Sequence, residues 1–442
     1  MEPKRTDLPV LIIGAGSSGL AVAHGLKNAK VPYKVFEQDP TDKPRNARDW
    51  AIGCHWSYPI LASLIGQEKW ARIIETQTDT NSPTKEADAC PVINGKTGEI
   101  IRHVPLNNFY RLLRSRFRAF MAEDIDVTWG KKLVDVSYSS GPEEEVDGHS
   151  TVTAHFADGT SATGRLLLGA DSSNSRVRAL LLGPERARLH RLSIAATFIN
   201  CSFTREQALY LRRTHPLVNL IVHPDGMMGM LAALDCTDAS RPETWRFAFY
   251  ISWRTSAAEQ DAEAASGQWG PRERLAQAKE KSLAFADPMR SAYAWMPDDL
   301  DTVYYTPNGN WDPSLPDHKW DNHGGRITLV GDSAHPMTYH RGQGLNHAID
   351  DAGHLVKLLA KQGERPLSVV IGEYEAEMRP RAGEEVRLSE MNSYMLHDWD
   401  KLSHSPFMTA SINKGTPKSF ATPSTPADGK SSTTTSNGED HS

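Results

Sequence analysis

The chain has 442 residues, enough for two or three lobes rather than one simple core. Apolar residues make up 39% and charged residues 24%, and the net charge of −6 argues against nucleic acid as a main partner, because a phosphate-reading surface needs a basic excess. Four scattered cysteines (Cys54, Cys90, Cys201, Cys236) give no Cys-x-x-Cys spacing, and no run approaches the roughly 20 apolar residues of a membrane span, so the chain reads as soluble and cytoplasmic.

Met1 to Pro9 is too short and polar for a signal peptide. Val10 to Ile13 is a short apolar run, followed by Gly14-Ala-Gly16-Ser-Ser-Gly19, a helical pattern from Leu20 to Lys30, and a second apolar run from Tyr33 that closes on Glu37. This is one βαβ unit with a glycine turn and a terminal acid. Gly14 suits the tight turn, Gly16 lets backbone approach a pyrophosphate, and Gly19 lets the helix pack close to the strand. The phosphates then sit at the helix N-terminus, while Glu37 meets the ribose hydroxyls of an adenosine.

Arg111 to Met121 has the pattern of an amphipathic helix, with the basic run Arg111 to Arg118 as a solvated face. Val127 to Val136, Thr151 to Phe156 and Ala162 to Leu168 read as strands, broken by an exposed turn from Ser139 to Ser150. Strand-length apolar runs at Ile194–Phe203, Leu217–Val222, Met227–Leu234 and Trp245–Trp253 predict a second, largely antiparallel sheet, followed by a helix over Arg272–Ala286. Arg326 to Val330 is a buried-type strand that delivers Gly331-Asp332, and Leu345 to Ala360 carries the i, i+3, i+4 stripe of a helix.

These elements divide the chain into a first cofactor-binding part (1–185, with strands of the second sheet interleaved), a mainly substrate-binding part (186–320), and a second cofactor part with C-terminal helices (321–408). The Ser, Thr, Pro and Gly-rich segment 409–442 reads as a disordered tail.

The loop Gly331-Asp-Ser-Ala-His-Pro336, continued by Gly342-Gln-Gly-Leu-Asn346, is a second cofactor motif some 300 residues after the first. Asp332 is placed to bond a ribityl chain, and the helix N-terminus at Gly342 to Leu345 to face the pyrimidine edge of a flavin, where reduction leaves negative charge. Two such motifs at opposite ends of a chain suit an extended cofactor such as FAD. A hydrolase elbow Gly-x-Ser-x-Gly is lacking around Ser333, and the 17 histidines are too scattered for a metal site.

Gly14–Gly19, Gly169-Ala-Asp171 and Gly331–Asn346 together resemble the aromatic-ring hydroxylase family of flavoprotein monooxygenases, the para-hydroxybenzoate and salicylate hydroxylase type, over roughly residues 8 to 390. Ala47–Trp56 and Tyr339–Gly344 are most similar to its fungal natural-product members. The resemblance implies an α/β fold: a Rossmann-like FAD domain of the glutathione-reductase type, an inserted, mostly antiparallel substrate sheet, and a C-terminal helical segment. It implies FAD with NADPH or NADH as reductant, O2 and a small organic molecule as substrates, and a monomer or homodimer.

By position, Glu37 resembles the adenosine-ribose ligand. Arg48 and Ala51 match a strand passing the flavin, and Arg111 a basic residue that opens a helix near the ribityl-pyrophosphate. Asp171 matches a pyrophosphate-contact motif, and Asp332, Gly344 and Leu345 the second flavin loop. Two departures stand out: Ser172 where the family has Gly, which puts the turn geometry in question, and Tyr339 where the family has Pro. Tyr339 is a candidate proton donor or substrate contact, and His55, Tyr339 and His340 are candidate bases for a phenol. The oxidising chemistry belongs to the flavin and oxygen, so the protein supplies position, exclusion of water and gating. An oxidase or dehydrogenase on the same fold, or a catalytically silent flavoprotein, are the competing readings. The Trp-x-Trp-x-Ile-Pro segment of flavin halogenases is absent.

Overall fold

A computed structural model describes residues 8–41, 48–139 and 150–410. Its first layer is a parallel five-stranded sheet in the order Ile327–Leu329, Leu166–Gly169, Val10–Ile13, Tyr33–Phe36, Val127–Thr128. Parallel strands are covered on both faces, which is why Val10–Ile13 and Leu166–Gly169 are unbroken apolar runs, buried throughout. The helix Ser17–Asn28 lies against the helix Gly344–Ala360, so the two distant motifs meet on one layer. Gly25 makes this contact close: a Cβ there would come within 2.7 Å of Val356 Cγ2.

The second layer is a seven-stranded sheet running Val303–Asn310, His190–Ser202, Arg246–Arg254, Met227–Asp235, Val218–His223, Ala89–Asn94, Ile100–Pro105. It is antiparallel except where Val218–His223 meets Ala89–Asn94. One face packs on the helices Arg205–Arg212, Pro271–Ser282 and Met289–Trp295 through residues such as Phe249, Leu275 and Tyr293. The other face carries Met228, Met230, Phe198 and Tyr250, and is covered by Tyr339 and by the C-terminal stretch from Leu396 to Met408. A two-stranded ribbon, Ala51–Cys54 with Tyr110–Leu113, joins the layers.

Several expectations from the sequence differ in the structure, among them the run Val127–Val136, which divides into Val127–Thr128 of the parallel layer and the start of Leu133–Tyr138 in another sheet. The apolar run Ala162–Leu168 is two strands, because the chain crosses at Arg165 from a three-stranded antiparallel sheet (Leu133–Tyr138, Val152–Phe156, Ser161–Gly164) into the parallel layer. The helix expected from Arg111 begins at Arg114, since Tyr110–Leu113 pairs as a strand. The basic run is not a solvated face, because Arg111 and Arg118 are both buried. Most of the turn expected at Ser139–Ser150 and of the tail expected from 409 lies outside the described residues, although Thr409 and Ala410 close the short helix Pro406–Ala410.

Candidate active site

The glycine turn works by three different constraints. Gly14 has φ +112°, and a Cβ there would meet the Ala170 carbonyl oxygen at 2.3 Å. A Cβ on Gly19 would lie 2.0 Å from the Gly14 carbonyl oxygen. Gly16 differs: its backbone is extended, it caps the helix Ser17–Asn28, and a Cβ there would meet nothing within 4 Å. The open space beside Gly16 belongs to a cavity of about 710 Å³ that runs past Glu37, Arg114 and Lys131–Val134 to Asp171 and Arg176.

Glu37 forms the wall of this cavity. Its carboxylate accepts from Ala15 N (2.8 Å) and Asp39 N (2.9 Å), so it ties the glycine turn to the strand end and keeps lone pairs for a further donor. Arg118 braces the same corner, with Nε donating to Ala15 O (3.0 Å) and Nη1 to Asp39 Oδ2 (3.0 Å). At the far end, Asp171 accepts from Ser175 Oγ (2.5 Å), Arg176 N (2.7 Å) and Val177 N (3.0 Å), which fixes the start of the helix Arg176–Leu182. Burial raises the Asp171 carboxyl above the usual carboxylate range, and those donors oppose the rise. Ser172 has φ +74°, so the serine adopts the left-handed turn that glycine prefers, and the departure leaves a glycine-type turn in place.

Asp332 stands at the opposite end of the site, on the short turn Gly331–Ser333. It is exposed at its surface yet crowded by surrounding protein, and that desolvation raises its carboxyl, against the pull of His335, Arg178 and Arg114. A Cβ on Gly344 would lie 3.7 Å from Asp332 Oδ1, so the acid and the first residue of the helix Gly344–Ala360 share one edge, with Leu345 next to them. That edge carries the free N–H groups and positive end of the helix macrodipole.

The basic residue that joins both ends is Arg114, not Arg111. Arg114 opens its helix, lines the cavity, lies over the Trp50 ring at 4.4 Å, and interacts electrostatically with Glu37, Asp39 and Asp332. Arg111 turns the other way, where Nε donates to Ala233 O (3.0 Å) and burial lowers its pKa to about 10. A strand alternates its side chains, so Arg111 points into the second sheet while the residue opening the helix faces the cavity. Arg48 bonds Thr306 Oγ1 (3.1 Å) and lies over Trp50 and Tyr304 at the edge of the seven-stranded sheet. Ala51, half-buried, pairs with Leu113 in the connecting ribbon.

A residue without an assigned role in the motif, Asn346, locks the flavin loop. Its Oδ1 accepts from His55 N (2.9 Å) and Ser57 Oγ (2.8 Å), and its Nδ2 donates to Gly53 O (2.9 Å) and Gly342 O (3.1 Å). Its burial and position in the second motif were the signal available for finding it. Behind the loop, His335 Nε2 meets Asp351 Oδ2 (2.6 Å), Arg381 holds Asp351 Oδ1 (2.7 Å), and Arg341 holds Glu385. Burial alone would raise Asp351, but His335 and Arg381 outweigh it and keep the carboxyl well below the usual range.

Of the three candidate bases, His55 accepts no proton readily: burial drops it to about 4, with its ring bonded to Gly342 O (3.1 Å). His340 is likewise held well below the usual histidine range by burial. Tyr339 lies edge-on to Phe198 (5.2 Å) and Tyr250 (5.4 Å), and burial raises its hydroxyl, so it is protonated and suited to donate rather than abstract. These three rings bring the flavin loop against the second sheet.

The bare Gly16 backbone, the acids at both ends and the two helix N-termini fit an extended flavin dinucleotide. The profile of a family described as an FAD binding domain matches residues 319–389. The chain is 34% identical over 417 residues to the FAD-dependent monooxygenase cctM of Talaromyces islandicus, covering 94% of this chain and 99% of that protein. It is 36% identical over 402 residues to the FAD-dependent monooxygenase phnB of Penicillium herquei, covering 90% and 93%. Its fold is shared with Klebsiella pneumoniae HpxO in complex with FAD and uric acid, at a TM-score of 0.69 and 20% identity over 90% of this chain and 92% of that one. The 2,6-dihydroxypyridine-3-hydroxylase of Arthrobacter nicotinovorans gives a TM-score of 0.68 at 18% identity, over 89% and 93%. With relatives this similar along almost their whole length, the chain belongs to the family of FAD-dependent monooxygenases.

Proposed function

We propose that the protein uses NAD(P)H and O2 to insert one oxygen atom into an aromatic or other apolar small molecule, an intermediate of secondary metabolism. The second oxygen atom leaves as water, with the two electrons coming from NAD(P)H. The observation that carries this reading is the face that the seven-stranded sheet turns to the flavin loop. Phe198, Met230, Tyr250, Phe109 and Tyr339 converge there from the sheet, the ribbon side and the loop, and the segment ending at Met408 closes over them. Such a surface suits a flat apolar molecule and excludes water from the reacting centre.

Bound along Gly16, Glu37, Arg114, Asp171, Asp332 and Leu345, FAD supplies the redox chemistry with oxygen. Gly14 and Gly19 shape the turn, and Arg48 and Ala51 border the substrate side. The four cysteines are free and buried, which accords with a reducing, cytoplasmic compartment, and no helix among the described residues is long and apolar enough to cross a membrane.

The test is incubation of the FAD-loaded protein with NADPH, labelled oxygen and candidate aromatic intermediates, with mass analysis of the products. The expected result is NADPH oxidation stimulated at least about tenfold by the true substrate, equivalent to about 1.4 kcal/mol of barrier, and one labelled oxygen in the product. NADPH oxidation that yields only hydrogen peroxide with every compound would refute it.

A further inference from the structure

We propose that Trp50 is a positioning residue for the cofactor: its indole face holds the Arg114 guanidinium ready for the FAD phosphates and away from the acids beside it. The proposal rests on the placement of FAD along Arg114 given above. Tryptophan is among the largest apolar side chains, and Trp50 stays 39% exposed, so burial of the ring explains little of its presence.

The register of the connecting ribbon brings the two side chains together. Ala51 pairs with Leu113, so the next residues along, Trp50 and Arg114, stand opposite one another, and Arg114 N donates to Trp50 O (3.0 Å). The segment that carries Trp50 is fixed from two sides. Asp49 O accepts from Asn200 Nδ2 (2.8 Å) on the seven-stranded sheet, and Asp49 Oδ1 accepts from Ser115 N (3.3 Å) in the first turn of the helix that Arg114 opens. Arg48 lies over the same indole at 5.6 Å and over Tyr304 at 5.2 Å, and it donates to Thr306 Oγ1, which ties the ring to the outer strand Val303–Asn310.

Arg114 needs such a support. Among the described residues nothing accepts a hydrogen bond from its guanidinium, and the Trp50 ring centroid lies 4.4 Å from its Cζ. Asp49, Asp39 and Glu37 attract it through space, while Arg118 repels it. Glu37 and Asp39 line the same cavity where the adenosine is expected, so an arginine free to turn would pair with them and be lost to the phosphates.

The face of an indole suits this task better than an aliphatic side chain. Its negative π-cloud attracts the guanidinium, and stacking leaves the N–H groups in the guanidinium plane free to donate. The side chain is thereby ordered before FAD arrives without using the donors that a phosphate needs, which lowers the cost of binding.

The test is a double-mutant cycle on the full-length chain, freed of flavin and titrated with FAD while flavin fluorescence is followed. Trp50→Leu should weaken FAD binding about fivefold, and Trp50→Phe, which keeps a flat face, should stay within about twofold of wild type. In the Arg114→Ala background Trp50→Leu should change the affinity by less than about twofold, because the side chain it positions is gone. An unchanged affinity in Trp50→Leu, an equal loss in Trp50→Phe, or a loss that persists in full beside Arg114→Ala would overturn the role of Trp50. Arg114→Ala that binds FAD like wild type would overturn the placement of the phosphates, and the proposal with it. Oxygen insertion is read separately from the labelled product, so its failure would leave these affinities as they are.

Discussion

Gly16 and Gly19 belong to one motif, yet the structure assigns opposite consequences to filling them. A Cβ on Gly19 would overlap the Gly14 carbonyl at 2.0 Å, and a backbone carbonyl in a tight turn cannot move aside without opening it. Gly19→Ala should therefore cost the apoprotein at least about 3 kcal/mol of stability. Gly16 has room on the protein side and sits at a helix N-cap with extended backbone, a position serine favours. Gly16→Ser should leave apoprotein stability within about 0.5 kcal/mol of wild type. The added atoms would instead enter the space meant for the pyrophosphate, costing on the order of 2–4 kcal/mol of FAD affinity, roughly thirtyfold to a thousandfold. Thermal melts of both apoproteins with and without FAD check this, since ligand at a hundred times its Kd adds about 2.7 kcal/mol. Wild type should gain that increment and Gly16→Ser should not. The reasoning fails if Gly16→Ser binds FAD like wild type, or if it destabilises the apoprotein as much as Gly19→Ala.

Arg114→Ala should weaken FAD binding by about 1.5–3 kcal/mol while Arg111→Ala lowers the urea midpoint and spares affinity, because only Arg114 lines the cavity; flavin fluorescence titrations and urea melts separate them. Ser172→Gly should raise stability by about 0.5–1 kcal/mol by relieving the residue's φ of +74°, less the entropy that glycine adds to the unfolded chain. His55 and His397 are buried at about 4, below the free value near 6.5, so the unfolded chain takes up protons that the folded one refuses. Their contribution is present above pH 6.5 and lost as pH falls toward 4, about 2 kcal/mol each between pH 7 and pH 5. Urea midpoints that stay flat over that range would contradict it.

The parallel layer was legible because its strands are short apolar runs punctuated by glycine, and Gly14, Gly16 and Gly19 carry distinct steric roles that the spacing alone anticipates. The Arg111 assignment went astray because a strand and a helix abut at Leu113–Arg114 with no glycine or proline between them. Arg111 and Arg114 then differ only in which element claims each. Strands such as Ala89–Asn94 and Val303–Asn310 carry Pro91 and Pro307, which hide a strand from pattern reading. The long helix Leu367–Leu396 was legible only as a helical segment. Its buried face changes along its length, from Val370, Tyr374 and Met378 against the parallel layer to Glu385, Ser389, Asn392 and Ser393 behind the flavin loop. Buried polar residues break the apolar stripe on which a sequence reading depends, and they do so where the helix serves the site.

That change of character bears on how the site moves. The flavin loop is fastened on one side by the Asn346 bonds to the connecting ribbon and on the other by two carboxylates and two guanidiniums, Asp351 with Arg381 and Glu385 with Arg341. Removing one partner of such a buried pair leaves an uncompensated charge and costs about 3–5 kcal/mol, so the loop is an expensive place for motion. Its room comes from missing side chains: Gly342 has nothing within 4 Å of a Cβ position, and Gly344 has only Asp332 Oδ1 at 3.7 Å. A gate that answers to substrate would then rest on displacement of the bound ring within this fixed frame rather than on unfastening of the loop. Tyr339 and His340 stand where the frame meets the sheet face that carries Phe198 and Tyr250, so a molecule bound on that face would touch the loop directly and bias the ring position without disturbing any of the ion pairs behind it.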